Sequence, residues 1–137
     1  MRAAARRASY LIHPQLSWGV RLRPQLRGHV HTSYVHYDVS DLRFEWDPAK
    51  ARANVRKHGI SFDEAETAFY DDYALVRPDP DHSAPDEERL VLIGLSGALR
   101  VLVVVHCELE AGNTIRLISA RRATRPERAQ YDARWKQ

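Results

Sequence analysis

The chain has 137 residues, of which 44% are hydrophobic and 28% are charged, and its formal net charge is +3. This balance excludes a wholly disordered chain, and the length fits one domain, or one small domain with a tail. The one cysteine, Cys107, excludes an intrachain disulfide framework and a cysteine-based zinc site. The longest apolar stretch, residues 90–105, is shorter than the roughly 20 residues of a membrane span. We therefore expect a soluble protein in a reducing compartment.

Charge is segregated along the chain. Residues 48–58 carry four basic groups and no acid, residues 59–88 carry ten acids and one arginine, and residues 116–137 carry seven basic groups and two acids. If folding joins the two basic segments, they form a cationic face opposite an acidic loop, and such a face attracts phosphate backbones. The alternative interpretation is a set of solvated helix surfaces, since scattered surface charge is normal.

Residues 1–42 show no sustained apolar period. Arg6-Arg7 and the general richness in arginine are typical of an export signal or a transit peptide, but the apolar stretch that follows is short and is broken by His13-Pro14. We interpret these residues as a poorly ordered extension, or as translation from upstream of the true start. The folded domain is then expected to comprise residues 43–137.

The first predicted elements are a strand and two helices. Asp47-Pro48 is typical of a helix N-cap followed by the first helical residue, and Gly59 is typical of a helix end. Ser61 and Glu64 have capping-box spacing and begin a second short helix. The strand before these helices is predicted from alternating apolar residues, namely Leu42, Phe44 and Trp46.

Four strands and a third helix follow. The strands are predicted at residues 74–77, 88–95, 99–108 and 114–120, and the loop Ser96-Gly97-Ala98 joins the middle two in a hairpin. Thr124 and Glu127 form another capping box, which begins the last helix. The order βααββββα predicts an α+β fold in which helices cover an antiparallel meander.

Four groups of residues carry a family resemblance along residues 43–135. They are Phe44-Glu45-Trp46-Asp47-Pro48-Ala49-Lys50 with Asn54; Lys57-His58-Gly59-Ile60-Ser61-Phe62-Asp63-Glu64-Ala65; Asp79-Pro80-Asp81-His82-Ser83 with Glu88-Arg89; and Ile115-Arg116-Leu117-Ile118-Ser119-Ala120-Arg121-Arg122-Ala123-Thr124 with Glu127 and Tyr131. Together they resemble the BrnT family of toxins. The resemblance implies a RelE-like fold and a ribonuclease toxin of a type II toxin–antitoxin pair that inhibits translation in a bacterial cytoplasm. It also implies a BrnA-like antitoxin, which binds operator DNA, and it implies no cofactor.

Cleavage of RNA without a metal requires a base for the 2′-hydroxyl, donors for the phosphorane charge and a proton for the leaving oxygen. We predict such a metal-independent endoribonuclease. Arg121 is the preferred catalytic residue because its planar guanidinium suits a phosphorane, and Arg89 is a second candidate because an arginine among apolar strand residues needs a partner. Lys57 and His58, at the end of the first helix, are candidates for moving a proton. The candidate RNA-binding residues are Lys50, Asn54, Arg116, Arg122 and Tyr131.

Strand geometry adds two expectations about these residues. Alternation places Arg116 and Arg121 on opposite faces of the last strand, and the short hairpin loop places Arg89 near Val105. Other polar residues are given structural roles, with His106 and Cys107 in the core and Asp79, Asp81 and His82 in a turn rather than a metal site.

Two other functions stay open. A non-catalytic RNA- or ribosome-binding module is favoured by the lack of an unmistakable acid–base pair. A protein-interaction domain would use the acidic segment 63–88 as its main surface. Incubation with RNA in the presence of EDTA separates an enzyme from both of these alternatives.

Overall fold

A computed structural model describes residues 33–34, 42–109 and 113–136. Its strands and helices are β1 (Ser33–Tyr34), β2 (Arg43–Glu45), α1 (Pro48–His58), α2 (Phe62–Thr67), β3 (Leu75–Pro78), β4 (Arg89–Leu95), β5 (Val101–Leu109), β6 (Thr114–Arg122) and α3 (Arg125–Asp132). Short 3-10 turns at Ala68–Tyr70 and Ala133–Lys136 extend α2 and α3. The predicted α+β class is confirmed.

The strands in the described part of the chain form one sheet in the order β1-β3-β4-β5-β6-β2. The four long neighbours, β3 to β6, make the predicted antiparallel meander. β2 joins the free side of β6 in parallel, with Phe44 opposite Ile115. The chain therefore starts the domain at one edge, crosses over through α1 and α2, and returns strand by strand to that edge.

The helix boundaries agree with the local signals in the sequence. Asp47 caps α1 by accepting a hydrogen bond of 2.9 Å from the Ala49 N–H, and Gly59 ends it in the left-handed conformation, at φ 70°. The Ser61 hydroxyl caps α2. Thr124 and Glu127 form the predicted capping box of α3, so all three helix starts are confirmed.

The two faces of the sheet bury different clusters. The face that α1 and α2 cover, here the helix-covered face, carries the main core, which includes Phe44, Phe62, Phe69, Leu92 and Leu117. Burial of each such side chain contributes about 1.5–3 kcal/mol. The opposite face, here the open face, carries the smaller cluster Leu75, Val91, Ile93, Val101, Val103 and Tyr131. The helix α3 covers only part of it, so Val105 stays partly exposed.

The β4–β5 hairpin is longer than predicted. Its turn spans residues 96–100, the Ser96 N–H donates to the Arg100 carbonyl at 2.8 Å, and Leu99 adopts a left-handed φ of 62°. Leu95 pairs with Val101, which places Arg89 opposite Cys107. The expected position of Arg89 near Val105 is therefore wrong, because the left-handed residue adds length to the turn.

The N-terminal extension lies largely outside the described residues. Within it, Ser33 and Tyr34 pair with Val76 and Leu75 at the β3 edge. Leu42, directly before β2, is fully buried in the main core. No helix in the described ranges is long and apolar enough to cross a membrane.

Candidate active site

A groove on the open face collects arginines from three strands. Arg77 of β3, Arg89 of β4 and Arg121 of β6 line it, together with the valines at positions 91, 103 and 105, and it encloses about 550 Å³. We call it the arginine groove. The groove brings together Arg89 and Arg121, two of the predicted catalytic residues. Its third arginine, Arg77, was not among the predicted site residues. The feature of the sequence that could have indicated Arg77 is that it is the one arginine or lysine in the acidic segment 59–88.

Strand register places these arginines. Arg77 pairs with Val91, and Arg89 lies two residues before Val91 on the same face. Such diagonal neighbours lie about 7–8 Å apart at their Cα atoms. Arg121 pairs with Val103 on the other side of β5. The groove is therefore built on rigid strands, with its cations on both sides of a valine-lined base.

Glu127 orients Arg121. The two guanidinium nitrogens Nη1 and Nη2 donate to the two carboxylate oxygens of Glu127 at 2.6 and 2.9 Å, and Nη1 also donates to the Arg122 carbonyl. The hydrogen bond from Arg121 lowers the pKa of Glu127 to about 2, so Glu127 is ionised at neutral pH. Glu127 Oε2 also lies 3.9 Å from Arg77 Nη2. Because these contacts use three of the five N–H donors of Arg121, two donors stay available for a ligand.

A loop closes one end of the groove. Asp79 and His82 line it, and His82 Nδ1 lies 3.0 and 3.1 Å from the two carboxylate oxygens of Asp79. The predicted turn is present, since the His82 N–H donates to the Asp79 carbonyl at 3.4 Å. The sequence predicts an acidic loop on the side opposite the cationic face. For Asp79 and Asp81 this prediction is wrong, because both line the arginine groove itself.

A second cavity, of about 440 Å³, lies at the β2–β6 edge and brings Lys50 and Arg116 together. Arg116 donates to Glu45 at 3.0–3.2 Å. Ile118 lines this cavity and the arginine groove, so the two are neighbours along β6. We call it the edge cavity; its lining residues are Glu45, Trp46, Asp47, Lys50, Arg116, Leu117 and Ile118.

A β-bulge sets the direction of Arg116. Val105 pairs with Ser119 but His106 pairs with Leu117, so Ile118 is an extra residue in β6. Leu117 and Ala120 both belong to the main core although they are three residues apart. Arg116 and Arg121 therefore point to the same face, and the expectation of opposite faces is wrong because the bulge shifts the alternation by one.

Two predicted RNA-binding residues are structural. Asn54 is only 5% exposed, and its amide bonds the main chain of Ile60 and Ala120. Tyr131 is 3% exposed, and its hydroxyl donates to Asp71 at 2.7 Å. Burial raises the pKa of the Tyr131 hydroxyl. In this structure both side chains are enclosed and their polar atoms are already bonded within the fold.

The other predicted residues lie outside both cavities. Lys57 is exposed and His58 is half-buried in the last turn of α1, and Arg122 is exposed where β6 ends. Arg100, at the end of the β4–β5 turn, forms an ion pair with Glu64.

Two neighbouring residues of β5 are also structural, as expected. His106 is fully buried with its ring against Phe69, and burial lowers its pKa to about 4. Cys107 is buried, and burial raises the pKa of its thiol to about 11, so it is not an activated nucleophile.

These features define a class of protein: a small α+β domain whose sheet presents guanidinium groups around a groove suited to a phosphate backbone. Residues 46–127 match the model of a family described as the ribonuclease toxin BrnT of type II toxin–antitoxin systems. The crystal structure of the Brucella abortus ribonuclease toxin BrnT aligns with 60% of this chain and 96% of its own, at 25% sequence identity and a TM-score of 0.44. No curated protein matches the chain.

The family model covers more than half of the chain. The protein therefore belongs to the BrnT family of ribonuclease toxins of type II toxin–antitoxin systems.

Proposed function

We propose that this protein is a metal-independent endoribonuclease with a RelE-like fold, and that the arginine groove is its active site. The observation that carries the proposal is the convergence of Arg77, Arg89 and Arg121 from three strands on one groove. Three guanidinium groups carried on neighbouring strands supply the positive charge that a phosphoryl centre needs as it gains negative charge. The family membership supports an RNA substrate.

Attack by the 2′-oxygen on the adjacent phosphorus would produce a 2′,3′-cyclic phosphate and a 5′-hydroxyl. The phosphorane in this step carries more negative charge than the starting phosphodiester, so a guanidinium that touches it stabilises the transition state preferentially. Arg121 is suited to this contact because Glu127 fixes its plane while two N–H donors stay available. Arg77 and Arg89 would hold the non-bridging oxygens of the same or the next phosphate.

The edge cavity extends the site along the strand of RNA. Lys50 and Arg116 provide two cations there, and the shared Ile118 places the cavity beside the arginine groove. A phosphate contact at this position adds affinity without sequence preference. Lys57 and Arg122 are exposed at the ends of α1 and β6 and would contact flanking phosphates.

In the cell, cleavage would inhibit translation in the cytoplasm, and a BrnA-like antitoxin would neutralise the toxin and bind operator DNA. The type II family supports this partner. Specific operator binding would belong to the antitoxin and not to this chain.

The test is incubation of the purified protein with RNA in excess EDTA, followed by mapping of the products. Cleavage that persists in EDTA, and that stops when the mapped nucleotide is replaced by its 2′-deoxy form, supports the proposal. Binding without cleavage would instead assign a non-catalytic RNA-binding module. Neither binding nor cleavage would leave a protein-interaction domain.

A further inference from the structure

We propose that His82, oriented by Asp79, is the general base that removes the proton from the attacking 2′-hydroxyl. The inference rests on the ribonuclease activity proposed above and adds a catalytic pair to it. The three arginines of the groove cannot accept a proton at neutral pH, so the site needs another group for this step. His82 lies in the lining of the groove, and a neutral imidazole has one ring nitrogen that is able to accept a proton.

The hydrogen bond to Asp79 fixes the ring. The carboxylate accepts from His82 Nδ1 at 3.0–3.1 Å, and an ionised carboxylate is an acceptor only, so Nδ1 carries the hydrogen. The other nitrogen, Nε2, is then the unprotonated one and is able to accept a proton. The side chain of Asp79 is 18% exposed whereas that of His82 is 67% exposed. The orienting group is thus largely shielded while the base faces the groove and solvent.

The loop that carries His82 is fastened to β4 beside Arg89. The Asp79 N–H donates to the Arg89 carbonyl at 2.8 Å. Ser83 bridges the same two residues, because its hydroxyl donates to the Asp79 carbonyl at 2.7 Å and accepts from the Arg89 N–H at 2.8 Å. The start of the His82 loop is therefore fastened to the backbone of Arg89 by one main-chain hydrogen bond and by two through the Ser83 hydroxyl.

The charges around His82 come from five elements. Its own loop supplies Asp79 and Asp81, β3 supplies Arg77, β4 supplies Arg89 and β6 supplies Arg121, with Glu127 of α3 behind Arg77 and Arg121. Glu127 is a poor base because its pKa is about 2 and Arg121 occupies both of its oxygens. His106 is fully buried on the helix-covered face, against Phe69. His82 is therefore the best-placed proton acceptor in the described part of the groove.

Water is the only further reactant that this cleavage step needs. His82 Nε2 takes the proton of the 2′-hydroxyl, the 2′-oxygen forms a bond to phosphorus, and the bond from phosphorus to the 5′-oxygen breaks with its electron pair on that oxygen. Water protonates the 5′-oxygen, and the hydroxide that results takes the proton from the imidazolium. The ring returns to its neutral form, and Asp79 stabilises the imidazolium meanwhile.

The experiment compares single-turnover cleavage rates of the full chain between pH 5 and 9. His82→Ala is expected to lower the rate at neutral pH by about 100- to 10,000-fold, to remove the acidic limb of the profile and to recover activity when imidazole is added. Asp79→Asn is expected to cause a smaller loss and to move the acidic limb to lower pH, because the imidazolium loses its carboxylate. Circular dichroism and RNA binding verify that each variant is folded.

His58→Ala decides between the two candidate histidines. If the acidic limb disappears in His58→Ala and persists in His82→Ala, His58 is the base and the inference is wrong. A folded His82→Ala variant with an unchanged rate would also overturn it while leaving the ribonuclease function intact. A wild-type protein that cleaves no RNA at any pH would overturn both.

Discussion

Arg121 makes two kinds of contact in the structure. It holds Glu127 at the start of α3, and it faces the groove with Arg77 and Arg89. Because its guanidinium is oriented before any ligand arrives, little reorganisation is needed when charge develops on a bound phosphate. Its removal should therefore affect the rate of cleavage far more than the affinity for RNA.

Arg121→Ala should lower the single-turnover cleavage rate by about 100- to 1,000-fold. Arg121→Lys should restore only part of the rate, since a point charge does not reproduce the planar pair of donors. The matched control is Arg128→Ala, which removes the same charge from an exposed position that pairs only with Asp132 among the described residues, at 3.7 Å. A folded Arg121→Ala variant that cleaves as fast as this control would make Arg121 a structural residue.

Asn54 connects two elements, α1 and β6. β2 pairs only with residues 114–116 of β6, so the outer edge of residues 117–122 needs other partners. The Asn54 amide supplies them by accepting from the Ala120 N–H at 3.0 Å and donating to the Ala120 carbonyl at 2.8 Å. It also donates to the Ile60 carbonyl at 2.8 Å, which fixes the turn between α1 and α2.

We expect Asn54→Ala to lower the free energy of unfolding by about 2–4 kcal/mol, because it leaves buried main-chain groups without partners. Lys57→Ala, one turn further along the same helix and exposed, should change stability by less than about 0.5 kcal/mol. Urea denaturation measures both variants. Equal stabilities would mean that Asn54 does not anchor α1.

At the scale of elements, the sequence predicts what depends on near neighbours. Asp47, Gly59, Ser61 and Thr124 mark helix ends through hydrogen bonds within four residues, and all were predicted correctly. The arrangement of the arginines depends instead on cross-strand register, which a left-handed Leu99 and an extra Ile118 change by one or two residues. A register change of one residue moves a side chain to the other face of the sheet, and a change of two residues moves it along the same face. The pattern of the sequence therefore singles out Arg89 and Arg121 as candidates, but it does not show that Arg77 and His82 line the same groove.

At the scale of the whole molecule, we expect the main core to fold without the N-terminal extension. Deletion of residues 1–41 should leave cooperative unfolding and RNA cleavage intact, because the described part of this segment pairs with β3 through only two residues. Leu42→Ala in the shortened chain should then lower the free energy of unfolding by about 2–5 kcal/mol, since Leu42 is fully buried. Thermal and urea unfolding check both statements. Loss of cooperative unfolding in the 42–137 chain would assign the extension a structural role.

The stability of the whole domain should depend on pH through His106. Its pKa is about 4 in the folded protein and near 6.5 in an unfolded chain. Between these values the unfolded chain binds a proton that the folded chain does not, so the free energy of unfolding falls as pH drops from 6.5 to 4. The loss from this group reaches about 3 kcal/mol.

His106→Asn, which does not titrate, should lack this component when urea unfolding is measured from pH 4 to 8. The difference in the free energy of unfolding between the variant and the wild type isolates the contribution of His106, because Glu108 is present in both. Burial raises the pKa of Glu108 to about 8, so its contribution to stability falls as pH rises from about 4.5 to 8. A constant difference across the whole pH range would show that His106 does not titrate between the two states.

The strand β6 is the last of the described strands to leave the ribosome, and two other parts of the molecule depend on it. It gives β2 its hydrogen-bonding partner, gives Asn54 its anchor on Ala120, and carries both Arg116 and Arg121. A nascent chain that ends before residue 114 therefore has two unattached segments at its N-terminal side and an incomplete set of cations. The order of synthesis delays the assembly of the groove until nearly the whole domain has been translated. A frameshift or stop codon upstream of β6 would accordingly produce a fragment that lacks Arg121 of the arginine groove and Arg116 of the edge cavity.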